Sequence, residues 1–446
     1  MIESLPALRK EFFVKKKSFY ELPQDDPRNV RPLSLEHLKK QAKELLKQLK
    51  LNQSWKRMHA HHPNVGQLTP GTVKLSHAQL VVAREQGFSS WPQLKHHIEA
   101  EAVSRKALQG GEPAAMDCDQ TTLHIRCGND VMYKLAVAGF NGDFLTFADP
   151  YIQGPVSGAL SFDSYIKARV GFMAGDNQDD ADRIHSELVS SYKALEKAVK
   201  YKRVAFWFEH DAYDVLVFCK LLHFFSDPAK RAQEMQFICA DHYPGVKRFN
   251  GIGQLPADSM RVLWEQFQPV MEQQFEFGKR CWQAYISPTP EAFCRLAIQD
   301  NSPLPEIMPA LRRHIQELPW RTDGLSLSER LTLKILEEQG PQNAPNLFYH
   351  WYTTVYEPLV FMGDTSYWIV LNQLAQARRP AIKLQKNSQK KIDWHVSLTD
   401  FGRQLLAGDA FWGEHNSYDR WFGGVHINST GTVWYWDPGL MDVVSG

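Results

Sequence analysis

The chain has 446 residues, 43% hydrophobic and 23% charged, enough for about two to four domains with an ample core. Lys and Arg number 51 against 50 Asp and Glu, a net charge of +1, so no global field favours nucleic acid or membrane and any basic interface must be local. The six cysteines form no C-x-x-C pair, the start lacks a signal peptide's apolar core, and no run approaches the roughly 20 apolar residues of a membrane span, so we expect a reducing, cytoplasmic protein without membrane contact.

Residues 1–33 read as an N-terminal arm that packs on a later domain through Phe12, Phe13, Phe19 and Tyr20. Residues 34–104 read as a small helical module: Leu35, Leu38, Ala42, Leu45, Leu46 and Leu49 recur at helical spacing behind Ser34. A loop holding His59, His61 and His62 follows, then a helix from Ser76 to Glu85, a stop at Gly87 and a new start at Ser90-Trp91-Pro92-Gln93. The loop histidines have no neighbouring acid or cysteine and read as solvated. Residues 102–117 read as a linker.

From 118 to 250 the pattern becomes strand, acid, helix, repeated. Strands are expected at Thr121–Arg126, Asp143–Phe147, Arg203–Phe208 and Glu234–Cys239, alternating with helices. That rhythm predicts a mostly parallel, Rossmann-like α/β sheet. Residues 251–323 read as a helical segment, with Gly251-Ile252-Gly253-Gln254 as the turn that joins it to the sheet. Residues 324–446 read as a winged-helix-like region: a helix with a capping-box start, Ser326 to Glu329, two further helices, two strands around a polar tip, and a Trp-rich closing β-hairpin, RWFGGVHINSTGTVWYWD.

In a parallel sheet the residues that follow the strands share one edge, where open α/β sheets bind ligands. Asn129, Asp130, Asp149, Glu209, His210, Asp211, Asp241 and His242 stand there. Asp130 and Asp211 precede helices and read first as caps. Glu209, His210 and Asp149 are the catalytic candidates, because carboxylates with an imidazole suit general acid–base work. Asn129, Asp130, Asp241 and His242, with Gly154 in the loop YIQGPVSG, are the ligand-binding candidates. Such an oxygen-rich edge would also suit Mg²⁺ or Mn²⁺. No phosphate-binding G-x-G-x-x-G or G-x-x-x-x-G-K-[ST] occurs. Cys127 and Cys239 lie near strand ends without an activating arrangement.

A separate signal is the acid-free run of Arg378, Arg379, Lys383, Lys386, Lys390 and Lys391, at the third helix and wing of the C-terminal region. Wings and recognition helices meet DNA in known geometries, with lysines on phosphates, and Asn372, Gln373 and Gln376 would face bases.

The segment LSHAQLVVAREQGFSSWPQLKHHIEA resembles the small helical module often found beside bacterial ankyrin repeats, although no 33-residue repeat follows. HIRCGND, FADPYIQGP, WFEHDAYD, FNGIGQL, GLSLSER, LTDFGRQLL and RWFGG with WYWD together resemble the bacterial domain-of-unknown-function family numbered 1835, over about residues 120–440. The resemblance implies an α/β domain with a C-terminal helical and winged-helix-like part, and no assigned activity. The leading expectation is a crevice that binds or acts on a small polar ligand such as a nucleotide. The alternatives are a nucleic-acid-binding regulator and a protein-interaction scaffold.

Overall fold

The computed structural model describes residues 2–14, 29–111, 113–175, 177–353, 356–359 and 361–446. The contacts expected of Phe12, Phe13, Phe19 and Tyr20 lie outside the described residues and side chains.

The fold is mixed α/β around one six-stranded sheet. In chain order its strands are β1 (Ile2–Ser4), β2 (Thr122–Arg126), β3 (Asp143–Thr146), β4 (Arg203–Glu209), β5 (Glu234–Ala240) and β6 (Gln268–Pro269). Their spatial order is β1-β3-β2-β4-β5-β6. The four inner strands are parallel, as expected; β1 and β6 add antiparallel edges. Neither edge strand was legible: one has three residues and the other is Gln-Pro, and proline is tolerated only where no partner needs its N–H.

Every residue of β2 and β4 is buried; β4 accordingly reads as an unbroken apolar run from Val204 to Phe208, whereas β2 sets Thr122, His124 and Arg126 around Leu123 and Ile125. Alternation survives in where the side chains go. Phe206 and Phe208 join the main core, while Trp207 joins a second core on the opposite face. The helix α1 (Leu5–Val14) and α6 (Met132–Ala138) contribute to the second core; α8 (Gln178–Leu195), preceded by α7 (Phe162–Ala174), and α9 (Ala212–Phe224) contribute to the main one. The chain thus leaves β2 toward β3 over one face and β4 toward β5 over the other. The strand order reverses between β2 and β4, and a crevice opens there.

Four helices form a unit with its own core: α2 (Leu35–Lys50), α3 (Trp55–His61), α4 (Leu75–Glu85) and α5 (Trp91–Gln109). The expected histidine loop is partly helix, since His59 and His61 belong to α3. The expected linker is also corrected: α5 continues to Gln109, and Asp117 is buried, accepting from the N–H groups of Asn141 and Gly142 and pairing with His124 of β2 at 3.0 Å. The unit meets the sheet where Tyr243 donates to Glu101, at 3.0 Å.

Beyond β5 come α10 (Ala257–Trp264), α11 (Glu272–Tyr285), α12 (Glu291–Ile298) and α13 (Met308–Ile315). Gly278 of α11 packs against Leu222 of α9 so closely that a side chain there would collide with it. The C-terminal region runs α14 (Leu327–Gln339), β7 (Gln342–Asn343), α15 (Ala344–Thr353), α16 (Asp364–Gln376), β8 (Ile382–Lys386), β9 (Trp394–Leu398), α17 (Asp400–Ala407) and α18 (Trp412–His415). Its three strands pair antiparallel in the order β7-β9-β8. The expected capping box at Ser326 and Glu329 is present. The tail is two hairpins rather than one: β10 (Asp419–Phe422) with β11 (Val425–Asn428), and β12 (Trp434–Asp437) with β13 (Asp442–Ser445). Trp412 and Trp436 are core residues. No helix among the described residues is long and apolar enough to cross a membrane.

Candidate functional site

The reversal point carries a charge cluster centred on Arg126, the last residue of β2, which is only 4% exposed. All its donors are engaged. Nε and Nη2 fork onto Asp130 at 2.6 and 2.8 Å, Nη1 reaches Asp214 at 3.0 Å and the Trp207 carbonyl at 3.2 Å, and Nη2 also pairs with Glu209. Asp214 further accepts the Glu209 N–H at 2.8 Å and the Cys127 thiol. One guanidinium therefore serves three carboxylates.

Three negative charges against one cannot all persist in a buried site. Asp130 has 39% of its side chain exposed and the bidentate contact; burial works against its charge, but Arg126 outweighs this and holds its pKa below the usual range. Glu209 and Asp214 are buried. Burial, with repulsion from neighbouring acids, pushes Glu209 up to about 8 against the pull of Arg126, and burial likewise raises Asp214. Asp211 is raised by burial and by Asp214. Burial thus biases Glu209 toward its neutral form, while Arg126 biases Asp130 toward its charged one.

The loop Asn250-Gly251-Ile252-Gly253-Gln254, expected to be a mere turn, closes over these acids. The Ile252 N–H donates to Glu209 at 2.9 Å. Gly251, at φ 155°, leaves no room for a Cβ beside Glu209, and Gly253 leaves none beside Asp130. Lys134 of α6 donates to the Gly253 carbonyl, and burial lowers its pKa.

A cavity of about 830 Å³ lies against this cluster. Arg126, Asp130, Lys134, Glu209 and Asp211 line one side, together with Tyr213, Asn250 and Gly251. The opposite wall comes from the C-terminal region: Tyr352 at the end of α15 and Phe361 to Ser366 leading into α16. Arg248 fastens that wall through the Tyr352 and Thr353 carbonyls, and Gln153 through the Ser366 carbonyl at 3.3 Å.

The sequence candidates divide accordingly. Glu209, Asp130 and Asp211 meet in the cavity. Asp211 is also the cap of α9, accepting from Asp214 N–H, as expected; Asp130 caps nothing, because Arg126 takes it. His210 turns away, its Nδ1 on the Ala240 carbonyl and its ring stacked on Phe249, and burial lowers its pKa. Asn129 is exposed and outside the lining. Asp149 is buried in an ion pair with Arg169 and accepts from Tyr165 at 2.7 Å; it pins the loop that presents Pro150 and Ile152 to the cavity. Gly154 packs on Arg169 and Phe172 and borders a different cavity of about 270 Å³. Asp241 and His242 are exposed, bonded to each other at 2.5 Å, and lie in a third cavity of about 840 Å³ between the helical unit and β5. There the hydrogen bond from His242 lowers the Asp241 pKa and raises that of His242.

Arg126, Lys134, Asp214 and Asn250 were not anticipated. An arginine closing the strand at Thr122–Arg126 was the available signal. Among the described residues no group of three or more His, Cys, Asp or Glu is arranged to hold a metal ion. Cys127 and Cys239 are both driven up by burial.

In the basic run, Lys383, Lys386 and Lys390 are exposed on the β8–β9 hairpin, with Arg378 exposed before it. Lys386 and Lys391 lie over the Trp394 ring at 4.4 and 3.6 Å. Arg379 is used internally, against Gln404, His415 and the Phe401 ring.

No family model, curated protein or solved structure matches the chain.

Proposed function

We propose that the cavity at the reversal point binds, or acts on, a small uncharged polar molecule, and that the inner strands with their covering helices are a Rossmann-like domain. The observation that carries this is the Glu209–Arg126–Asp130 cluster beneath a glycine loop, facing a cavity of about 830 Å³. Burying so many charges costs stability, and a packed apolar core would avoid that cost. The volume suits a drug-sized molecule. Two acids with opposite pKa shifts on one guanidinium, Glu209 and Asp130, offer the donor and acceptor that general acid–base chemistry pairs. Membership of family 1835 is part of this proposal. Its support is that HIRCGND, FADPYIQGP, WFEHDAYD and FNGIGQL all contribute to the cavity lining. Thermal-shift screening with nucleosides, sugars, polyols and amides tests the reading. A ligand that stabilises the wild type and is lost in Glu209→Gln is expected; stabilisation by none of them would count decisively against it.

A second reading rests on the C-terminal region. The order helix, strand, two helices, two strands, paired β7-β9-β8, is that of a winged helix, and its exposed wing lysines would neutralise nucleic-acid phosphates.

A further inference from the structure

Lys134 is the only lysine among the described residues that line the cavity, and it is half-buried there. The same wall holds Asp130, Glu209 and Asp211, with Asp364 opposite. A buried ammonium among acids ordinarily pairs with one of them. Lys134 makes no ion pair among the described residues; its Nζ donates instead to an uncharged acceptor, the Gly253 carbonyl. The Arg126 fork has taken Asp130, and burial biases Glu209 toward its neutral form. A lysine desolvated in a cavity wall, beside a second cation and without a counter-ion of its own, is the setting of amine nucleophiles.

The glycine loop gathers the groups such an amine needs. Lys134 holds Gly253, and Glu209 accepts from the N–H of the preceding residue, Ile252, at 2.9 Å. Gly253 itself lies against Asp130. Two consecutive residues thus bring the amine, the Glu209 carboxyl and the Asp130 carboxylate to one place. Burial pushes the Lys134 pKa down against the pull of Asp130, and Arg126 adds to the fall. The share of free amine at neutral pH rises accordingly. A free amine keeps the Gly253 bond with one N–H and still has its lone pair.

We infer that the ligand of this cavity is an aldehyde or ketone and that Lys134 captures it as an imine. This rests on the cavity reading above and adds the substrate class. The Nζ lone pair adds to the carbonyl carbon; the carbonyl oxygen takes a proton from Glu209, and the nitrogen gives one to Asp130. The carbinolamine hydroxyl then leaves as water with the proton returned by Asp130, the C=N bond forms, and the last nitrogen proton passes to Glu209. Amine and carbonyl compound become imine and water, and both acids end as they began.

The test is reductive trapping in the full chain. Wild type, Lys134→Arg and Glu209→Gln are incubated at pH 7 with glycolaldehyde or dihydroxyacetone and sodium cyanoborohydride, and labelled lysines are followed by intact mass and peptide mass spectrometry. Lys134 is expected to be labelled about a hundredfold faster than the exposed Lys383 and Lys390, the lower end of what a positioned proton donor contributes. Glu209→Gln should remove that advantage. Lys134→Arg, which keeps the charge and a donor for Gly253, should melt like the wild type and lose the fast phase of labelling. Lys134 labelled no faster than Lys383 and Lys390 by either compound overturns the inference. An unchanged rate at Lys134 in Glu209→Gln overturns the part given to Glu209. If Lys134 is not preferred while a nucleoside, polyol or amide stabilises the protein in a Glu209-dependent manner, the substrate class falls and the cavity reading stands. If neither occurs, both fall.

Discussion

Glu209 and Gly251 occupy the same corner of the cavity: a Cβ built on residue 251 would fall inside the Glu209 carboxylate. The glycine is therefore required by a side chain 42 positions earlier as well as by its own backbone angle. Gly251→Ala should destabilise the fold by about 2 kcal/mol or more. The double variant Gly251→Ala/Glu209→Ala should lose less than the sum of the singles, because removing the carboxylate opens the space. Urea unfolding of the four proteins measures the coupling; strict additivity would show that the loop sits elsewhere.

The raised Glu209 pKa has a signed consequence for stability. Between the ordinary carboxyl value and about 8 the native state holds a proton that the unfolded chain has released. Stability contributed by that proton is fully present below the unfolded value and is lost as pH rises toward 8. Glu209→Gln should flatten the pH dependence of the melting temperature between pH 5 and about 8 and be the more stable protein at the alkaline end. Asp211 and Asp214, also raised, will leave a residual slope of the same sign.

Arg126 is the only guanidinium among the described residues shared by Asp130, Glu209 and Asp214. Arg126→Met leaves three acids facing one another and should cost about 3–5 kcal/mol at neutral pH, the range for breaking a buried pair. Much of that loss should be recovered at pH 5, because protonation relieves the repulsion among acids whose pKa burial raises. Denaturant titrations at the two pH values distinguish this from a packing defect, which would be insensitive to pH.

The basic run predicts two different phenotypes. Replacing Lys383 and Lys390 by Ala should weaken any salt-sensitive binding to duplex DNA in a gel shift without lowering the melting temperature. Arg379→Ala should lower the melting temperature, since its guanidinium joins α16 to α17 and α18. Wild-type protein that fails to shift DNA at low salt removes the second reading.

Much of this architecture was legible. The inner strands are buried on both faces, so their apolar runs and terminal acids stood out, and Asp211 announced the start of α9. Short elements held by partners distant in sequence were not legible, as with Ile2–Ser4 on β3 and Gln268–Pro269 on β5. The site was half visible for the same reason. Glu209 and Asp130 were placed at the right edge, but their meaning depends on Arg126, which reads as one more strand residue until Asp214 and Glu209 converge on it. His210, adjacent to Glu209, faces the other way because alternation along an extended chain sends neighbours to opposite sides. Nothing local to Tyr352 or to Phe361–Ser366 signalled that they would complete the cavity.

That last wall has a consequence for synthesis. The carboxylate cluster is complete once residue 254 has emerged, yet its cover arrives about a hundred residues later. At roughly 5–20 residues per second, about 5–20 seconds of synthesis separate the two walls. The cavity therefore belongs to the finished chain: a product ending before residue 352 keeps the residues of the Arg126 cluster and lacks the wall that faces them.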